Sequence, residues 1–160
     1  MKAWIVELET RLPARAAEVV ALAKTSDQLL RVAAPLVKFR AASPPELPRI
    51  WEPGTYWVRL SLFGWIPMGK QAIVISYPAS PAGIFALRDD GHSALVARWD
   101  HLITIQDAGR DCVYRDRVSI EAGWRTPFVW AFASLFYRHR QWRWRKLLAE
   151  RRPVSAGGGA

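Results

Sequence analysis

Two segments, WDHLITI at Trp99–Ile105 and YRDRVSI at Tyr114–Ile120, set a histidine, an aspartate and a tyrosine into alternating apolar text. Alternation with period two is the mark of a strand with one buried face. The intervening QDAGRD suits a hairpin, and a two-residue loop at Ala108–Gly109 would put His101 opposite Asp116, Ile103 opposite Tyr114 and Trp99 opposite Val118. These residues, with Ile105 and Ile120, then share the inward face, while Asp100 facing Arg117 and Leu102 facing Arg115 make the solvated one. A histidine beside a carboxylate, with a phenol nearby, suits general acid/base work or a hydrogen bond to a ligand carbonyl or hydroxyl. The same trio equally suits a polar cluster that satisfies itself inside an apolar core.

The elements that must hold this hairpin follow from periodicity and punctuation. Lys2–Thr10 alternates as a strand, and Pro13 opens Ala- and Leu-rich helical text. Ser26 and Asp27 suit the cap of a second short helix that ends at Pro35. A proline-rich loop, Ala42–Gly54, separates these from strands at Tyr56–Phe63, Gln71–Tyr77, Ile84–Arg88, Ala94–Ile105 and Cys112–Ile120, with one more expected at Val37–Ala41. Short connections between successive strands imply an antiparallel meander. The segment Leu62–Lys70 reads as a loop carrying Trp65, Ile66, Pro67 and Met68, either a gate over a pocket or a flap folded on the body. Thr126 as cap and Pro127 at the first helical position start a long helix to about Ala149.

On that helix Val129, Phe132, Ala133, Phe136, Tyr137, Trp144 and Leu147 form one apolar stripe that also contains Arg140, with Arg138, Gln141 and Arg145 on the opposite side. A helix that turns back over the last strand travels about 20 Å from Pro127 to Arg140 at 1.5 Å per residue. The strand beneath covers that distance in about six residues. Arg140 is therefore expected to meet Asp116, since a guanidinium in an apolar stripe needs a carboxylate.

Composition limits the remaining options. With 51% apolar residues and 9 Trp the chain is far from the signature of disorder, and 160 residues suit a single domain over 1–150 with an unstructured tail at 151–160. The net charge of +9 is local: Arg138–Arg152 holds seven basic residues against Glu150, leaving 16 basic and 13 acidic elsewhere. Such a run is most often a solvated helix face; contact with an anionic membrane through Arg138, Trp142 and Arg145 is a further option, and nucleic acid is disfavoured. A lone Cys112 builds neither a disulfide nor a zinc site. Glu7 and Glu9 interrupt any signal-peptide core, and Pro127–Tyr137 is too short to span a bilayer, so a cytoplasmic protein is expected. No nucleophile elbow, phosphate loop, dinucleotide fingerprint or metal-ligand spacing occurs, so neither cofactor nor metal is expected.

The order of strand, two short helices, about six strands and one long helix resembles the START-like SRPBCC superfamily, which includes the birch-pollen-allergen proteins and the polyketide cyclase/dehydrase group. LPA at Leu12–Ala14, the W-x-H pattern from Trp99 and the D-x-V pattern from Asp116 are similar to that superfamily's motifs. Ile103 and Ile105 stand where many relatives carry a second histidine or an aromatic residue. The resemblance implies an α+β helix-grip fold, in which an antiparallel sheet of six or seven strands curves around the C-terminal helix. It also implies a pocket for a lipid, quinone, polyketide or similar hydrophobic molecule. The wall would comprise Trp99, His101, Ile103, Tyr114, Asp116 and Val118 from the sheet, and Val129, Phe132, Ala133, Phe136 and Arg140 from the helix. A noncatalytic binder is the leading expectation; the alternative is a cyclase, dehydratase or hydrolase using His101, Asp116 and Tyr114.

Overall fold

The computed structural model describes residues 2–152. The elements are β1 (Trp4–Leu12), α1 (Ala16–Ala23), α2 (Ser26–Ala33), β2 (Val37–Ser43), β3 (Gly54–Leu62), β4 (Ile66–Ser76), β5 (Ile84–Ser93), β6 (Arg98–Ala108), β7 (Asp111–Glu121) and α3 (Thr126–Arg151). The strands form one antiparallel sheet in the order β1-β7-β6-β5-β4-β3-β2. Hairpin connections from β2 to β7 impose this meander, whereas β1 joins the far edge because α1 and α2 carry the chain across to β2. The α+β helix-grip architecture implied by the order of elements is the one observed.

Local chemistry accounts for the ends of these elements. Thr25 caps α2, its Oγ1 accepting from the Gln28 N–H at 3.2 Å, one residue earlier than Ser26. At the start of α3 the Thr126 Oγ1 accepts from Ala122 N–H and donates to Gly123 O, which ties the helix to the one-turn 3₁₀ segment Gly123–Arg125. Arg151 and Arg152, expected in the tail, instead finish α3, and Arg152 donates to Pro13 O at 2.9 Å. The rest of the expected tail, 153–160, lies outside the described residues.

The segment 62–70 is strand rather than loop: only Phe63, Gly64 and Trp65 connect β3 to β4. Phe63 sits at φ 53°, an uncommon conformation for a bulky residue, held there by its N–H bond to Leu36 O at 2.8 Å. Beyond the turn a register shift between Leu60 and Ser61 leaves Met68 without a partner in the ladder, a bulge on β4.

The β6/β7 register also differs from expectation. Gly109 and Arg110 form the loop, so Ala108 faces Asp111, His101 faces Val118, Ile103 faces Asp116 and Trp99 faces Ile120. Gly109 at φ 82° takes the first loop position, where a type II′ turn demands glycine; the alternative loop would place it second. The slip is by two residues, so every side chain keeps its face. On the outer face Asp100 consequently faces Ser119, and Leu102 faces Arg117. Asp100 is bound instead by Arg88 of β5 through two hydrogen bonds of 2.8 and 2.9 Å.

Helix α3 packs on β1, β7 and α2. Its buried row is Ala133, Phe136, Tyr137, Arg140, Gln141, Trp144 and Leu148. Gln141, expected on the solvent side, is therefore inside, and Leu148 is more deeply buried than Leu147. Because the helix leans on one edge of the sheet, it leaves the middle of the concave face uncovered.

Candidate functional site

That uncovered face bounds a cavity of about 700 Å3 between α3, α2 and strands β2 to β6. Its wall is apolar for most of its extent, with Val37, Phe39, Leu60, Ile73, Ile75 and Leu87 contributed by the sheet and α3 contributing Val129, Phe132 and Phe136. The β4 bulge brings Pro67 and Met68 onto the wall, while Trp65 stays at the hairpin tip with 76% of its surface exposed. Leu95, Trp124 and Phe128, all exposed, also border the cavity.

Of the expected site residues, Trp99, His101, Ile103, Val129, Phe132, Phe136 and Arg140 line this cavity. Tyr114, Asp116, Val118 and Ala133 do not; each is fully enclosed. The reason is the position of α3, which lies directly over β1 and β7 and seals the inner face of β7 under its own side chains.

The polar cluster is nonetheless assembled. His101 Nε2 lies 2.7 Å from Asp116 Oδ1, the Tyr114 hydroxyl donates to the same oxygen at 3.2 Å, and Gln141 Nε2 donates to Asp116 Oδ2 at 3.0 Å. Burial alone would raise the Asp116 carboxyl; the His101 and Gln141 hydrogen bonds and the nearby Arg140 charge outweigh it and hold it below its ordinary value. Burial, joined by the nearby Arg140 charge, depresses His101 against the raising effect of Asp116. The pair at neutral pH is thus a carboxylate and a neutral imidazole donating from Nε2. Next to it Trp99 Nε1 donates to the Tyr137 hydroxyl at 3.0 Å, and the Tyr137 ring lies 4.7 Å from that of His101.

The expected Arg140–Asp116 ion pair does not form. Asp116 spends its lone pairs on Gln141, His101 and Tyr114, and Gln141, one residue along α3, occupies the position over β7, also donating to Leu8 O at 3.1 Å. Arg140 is turned toward the cavity, stacked 5.1 Å from the Tyr137 ring and 5.8 Å from that of Phe136. It is buried, forms no ion pair among the described residues, and its Nε has no hydrogen-bond partner.

Among the described cavity residues outside the expected wall, Asp89 is the acidic one. Asp89 stands directly across the ladder from His101 and lines the cavity. Its Oδ1 accepts from the Val74 backbone N–H at 2.7 Å, at a point where the β4/β5 pairing is interrupted between Ala72 and Ile75. The surface that Asp89 leaves open is cavity wall, so bulk water solvates it poorly. Burial pushes it up to about 7, against the lowering effects of the Val74 bond and Arg140. The signal was present, because Phe85, Leu87 and Asp89 continue one alternating face, but the charged run Arg88-Asp89-Asp90 resembles the end of a strand.

Other candidates lie elsewhere. Cys112 is buried and raised to about 11, chiefly by burial and then by Asp111 and Asp107, which leaves it unreactive. Arg138 and Trp142 are exposed, and Arg145 donates to Thr10 Oγ1 at 2.7 Å. Among the described residues no three His, Cys, Asp or Glu cluster where they could hold a metal, and no helix is long and apolar enough to cross a membrane.

Comparison with known proteins places the fold. No protein-family model and no curated protein matches the chain. Among solved structures, a START superfamily protein from Mycobacterium smegmatis superposes with a TM-score of 0.64 at 13% identity, over 91% of this chain and 97% of that one. A truncated norcoclaurine synthase from Thalictrum flavum gives 0.63 at 9% identity, over 95% and 98%. A Thermus thermophilus protein gives 0.62 at 12% identity, over 92% and 98%. Another Thalictrum flavum norcoclaurine synthase structure holds dopamine and hydroxybenzaldehyde. The chain thus shares its helix-grip fold with a START superfamily protein and with norcoclaurine synthase.

Proposed function

We propose that this protein binds a hydrophobic small molecule, of the size and character of a lipid, quinone or polyketide, in the cavity between α3 and the sheet. The cavity itself carries the reading. Protein interiors pack like organic crystals and leave few voids larger than a water molecule, so an apolar space of about 700 Å3 is a built feature within the usual range of ligand pockets. The fold shared with a START superfamily protein supports it. Native mass spectrometry of freshly purified protein is expected to show a copurifying hydrophobic ligand, or uptake of one from a mixed lipid extract. Protein that remains empty in both experiments refutes the reading.

A second reading, acid/base catalysis, is favoured by Asp89. A carboxyl raised to about 7 on a cavity wall is suited to exchanging a proton with a bound substrate. The fold shared with norcoclaurine synthase supports an enzyme of this kind, although Tyr114 and Asp116 are sealed from the cavity and would act only by orienting His101. Turnover that survives Asp89→Asn undiminished would dismiss this second reading.

A further inference from the structure

Among the described residues Arg140 is the one buried cation on the cavity wall; the wall's other arginine, Arg125, is exposed beside Trp124. Burying a guanidinium without a counter-ion is costly, and natural proteins keep such groups paired. Here each nearby acid is already engaged. Asp116 is saturated by His101, Tyr114 and Gln141, and Asp89 is tied through one oxygen to the Val74 N–H. The Arg140 guanidinium forms no ion pair among the described residues, and its Nε is a buried donor with no acceptor. The rings of Phe136 and Tyr137 hold the guanidinium in place, so its donors are preorganised at the wall of an otherwise apolar space.

We infer that the ligand is an amphipathic carboxylic acid, its chain filling the apolar cavity and its carboxylate received by Arg140. The inference rests on the ligand-binding reading above and adds the chemistry of the head group. A planar guanidinium and a carboxylate match in a two-bond fork, and the bond is strongest where water is excluded. Charge balance selects a monoanion. The Asp116 carboxylate, near Arg140 without bonding to it, already offsets part of that charge, and Asp89 adds to it when ionised; the free guanidinium donors therefore suit one carboxylate, and a doubly charged phosphate would meet too little positive charge.

Asp89 makes the reception depend on pH. It is faced by His101 across the ladder and by Arg140 from α3, with Asp116 and Tyr114 behind them on β7, Tyr137 on α3, and Asp90 and Asp100 close by. Protonated, Asp89 leaves the Arg140 charge to the ligand and adds a donor; ionised, it competes for Arg140 and repels the carboxylate.

The test uses the full chain with dodecanoic acid, methyl dodecanoate and dodecanol as probes, titrated calorimetrically at pH 6 and pH 8. The acid is expected to bind the wild-type protein at least about tenfold more tightly than either neutral probe at pH 6. That ratio should fall at pH 8, and in Asp89→Asn the fall should disappear. In Arg140→Met the ratio of acid to alcohol affinity should collapse to about one. Equal binding of acid, ester and alcohol by the wild-type protein overturns the inference while leaving the cavity reading intact, and needs no variant. Failure of all three probes, together with empty protein by native mass spectrometry, overturns both.

Discussion

Asp89 of β5 and His101 of β6 face each other directly across the sheet, both on the cavity wall, and only His101 has a carboxylate partner behind it. The two groups thus receive opposite treatment from one environment. His101 is depressed by burial and stays neutral, while Asp89 is raised by burial to about 7. Both shifts favour the uncharged form, which suits an apolar chamber.

Asp89 makes stability depend on pH in a defined direction. Its folded-state value is above the unfolded 3.8, so the native state binds the extra proton between about pH 4 and 7, and stability falls as pH rises through that window. Asp89→Asn keeps an acceptor for the Val74 N–H and removes the charge. The variant is expected to be more stable than wild type by about 2–4 kcal/mol at pH 8, a gain that vanishes toward pH 4. Urea denaturation at the two pH values measures it.

Gln141 bridges Asp116 and the Leu8 carbonyl, so it joins α3 to both β7 and β1. Gln141→Leu leaves a buried carboxylate oxygen and a part-buried carbonyl short of a donor and is expected to cost about 1–3 kcal/mol. Gln141→Glu places a second carboxylate against Asp116 and should destabilise more at pH 7 than at pH 4. Thermal unfolding of both variants across that range distinguishes lost bonding from repulsion.

Asp116→Ala removes the buried carboxylate near Arg140 and leaves the His101 and Tyr114 donors unpaired, while Gln141 keeps its bond to Leu8 O. A loss of about 3–5 kcal/mol is expected, as for other broken buried pairs. NMR titration should also find His101 still depressed, because burial is its largest influence. A His101 restored to its ordinary value in a folded Asp116→Ala protein would contradict this account.

Gly109 tests the hairpin. A methyl group there meets nothing within 4 Å, so Gly109→Ala should cost only the backbone strain of a positive φ, about 1–3 kcal/mol. Trp65→Ser, at the exposed tip of the β3/β4 turn, should shift stability by no more than about 0.5 kcal/mol. Equilibrium unfolding midpoints check both.

Local rules were enough to read the order of elements, the antiparallel meander and the inward faces of β6 and β7, because turn residues and period-two alternation act within a few residues of one another. They also brought His101, Asp116 and Tyr114 to one place, since a two-residue slip of register leaves facing unchanged. The register itself turned on which loop position Gly109 takes, and QDAGRD is compatible with either until the two strands pair. Whether Gln141 or Arg140 meets Asp116 is a matter of 100° around α3, decided by how that helix leans on β1, β7 and α2. The same lean buries Asp116 and leaves Asp89 and Arg140 facing an open chamber. Periodicity along a chain records which side of an element is apolar; the gap between two packed layers depends on long-range contacts that no single segment encodes.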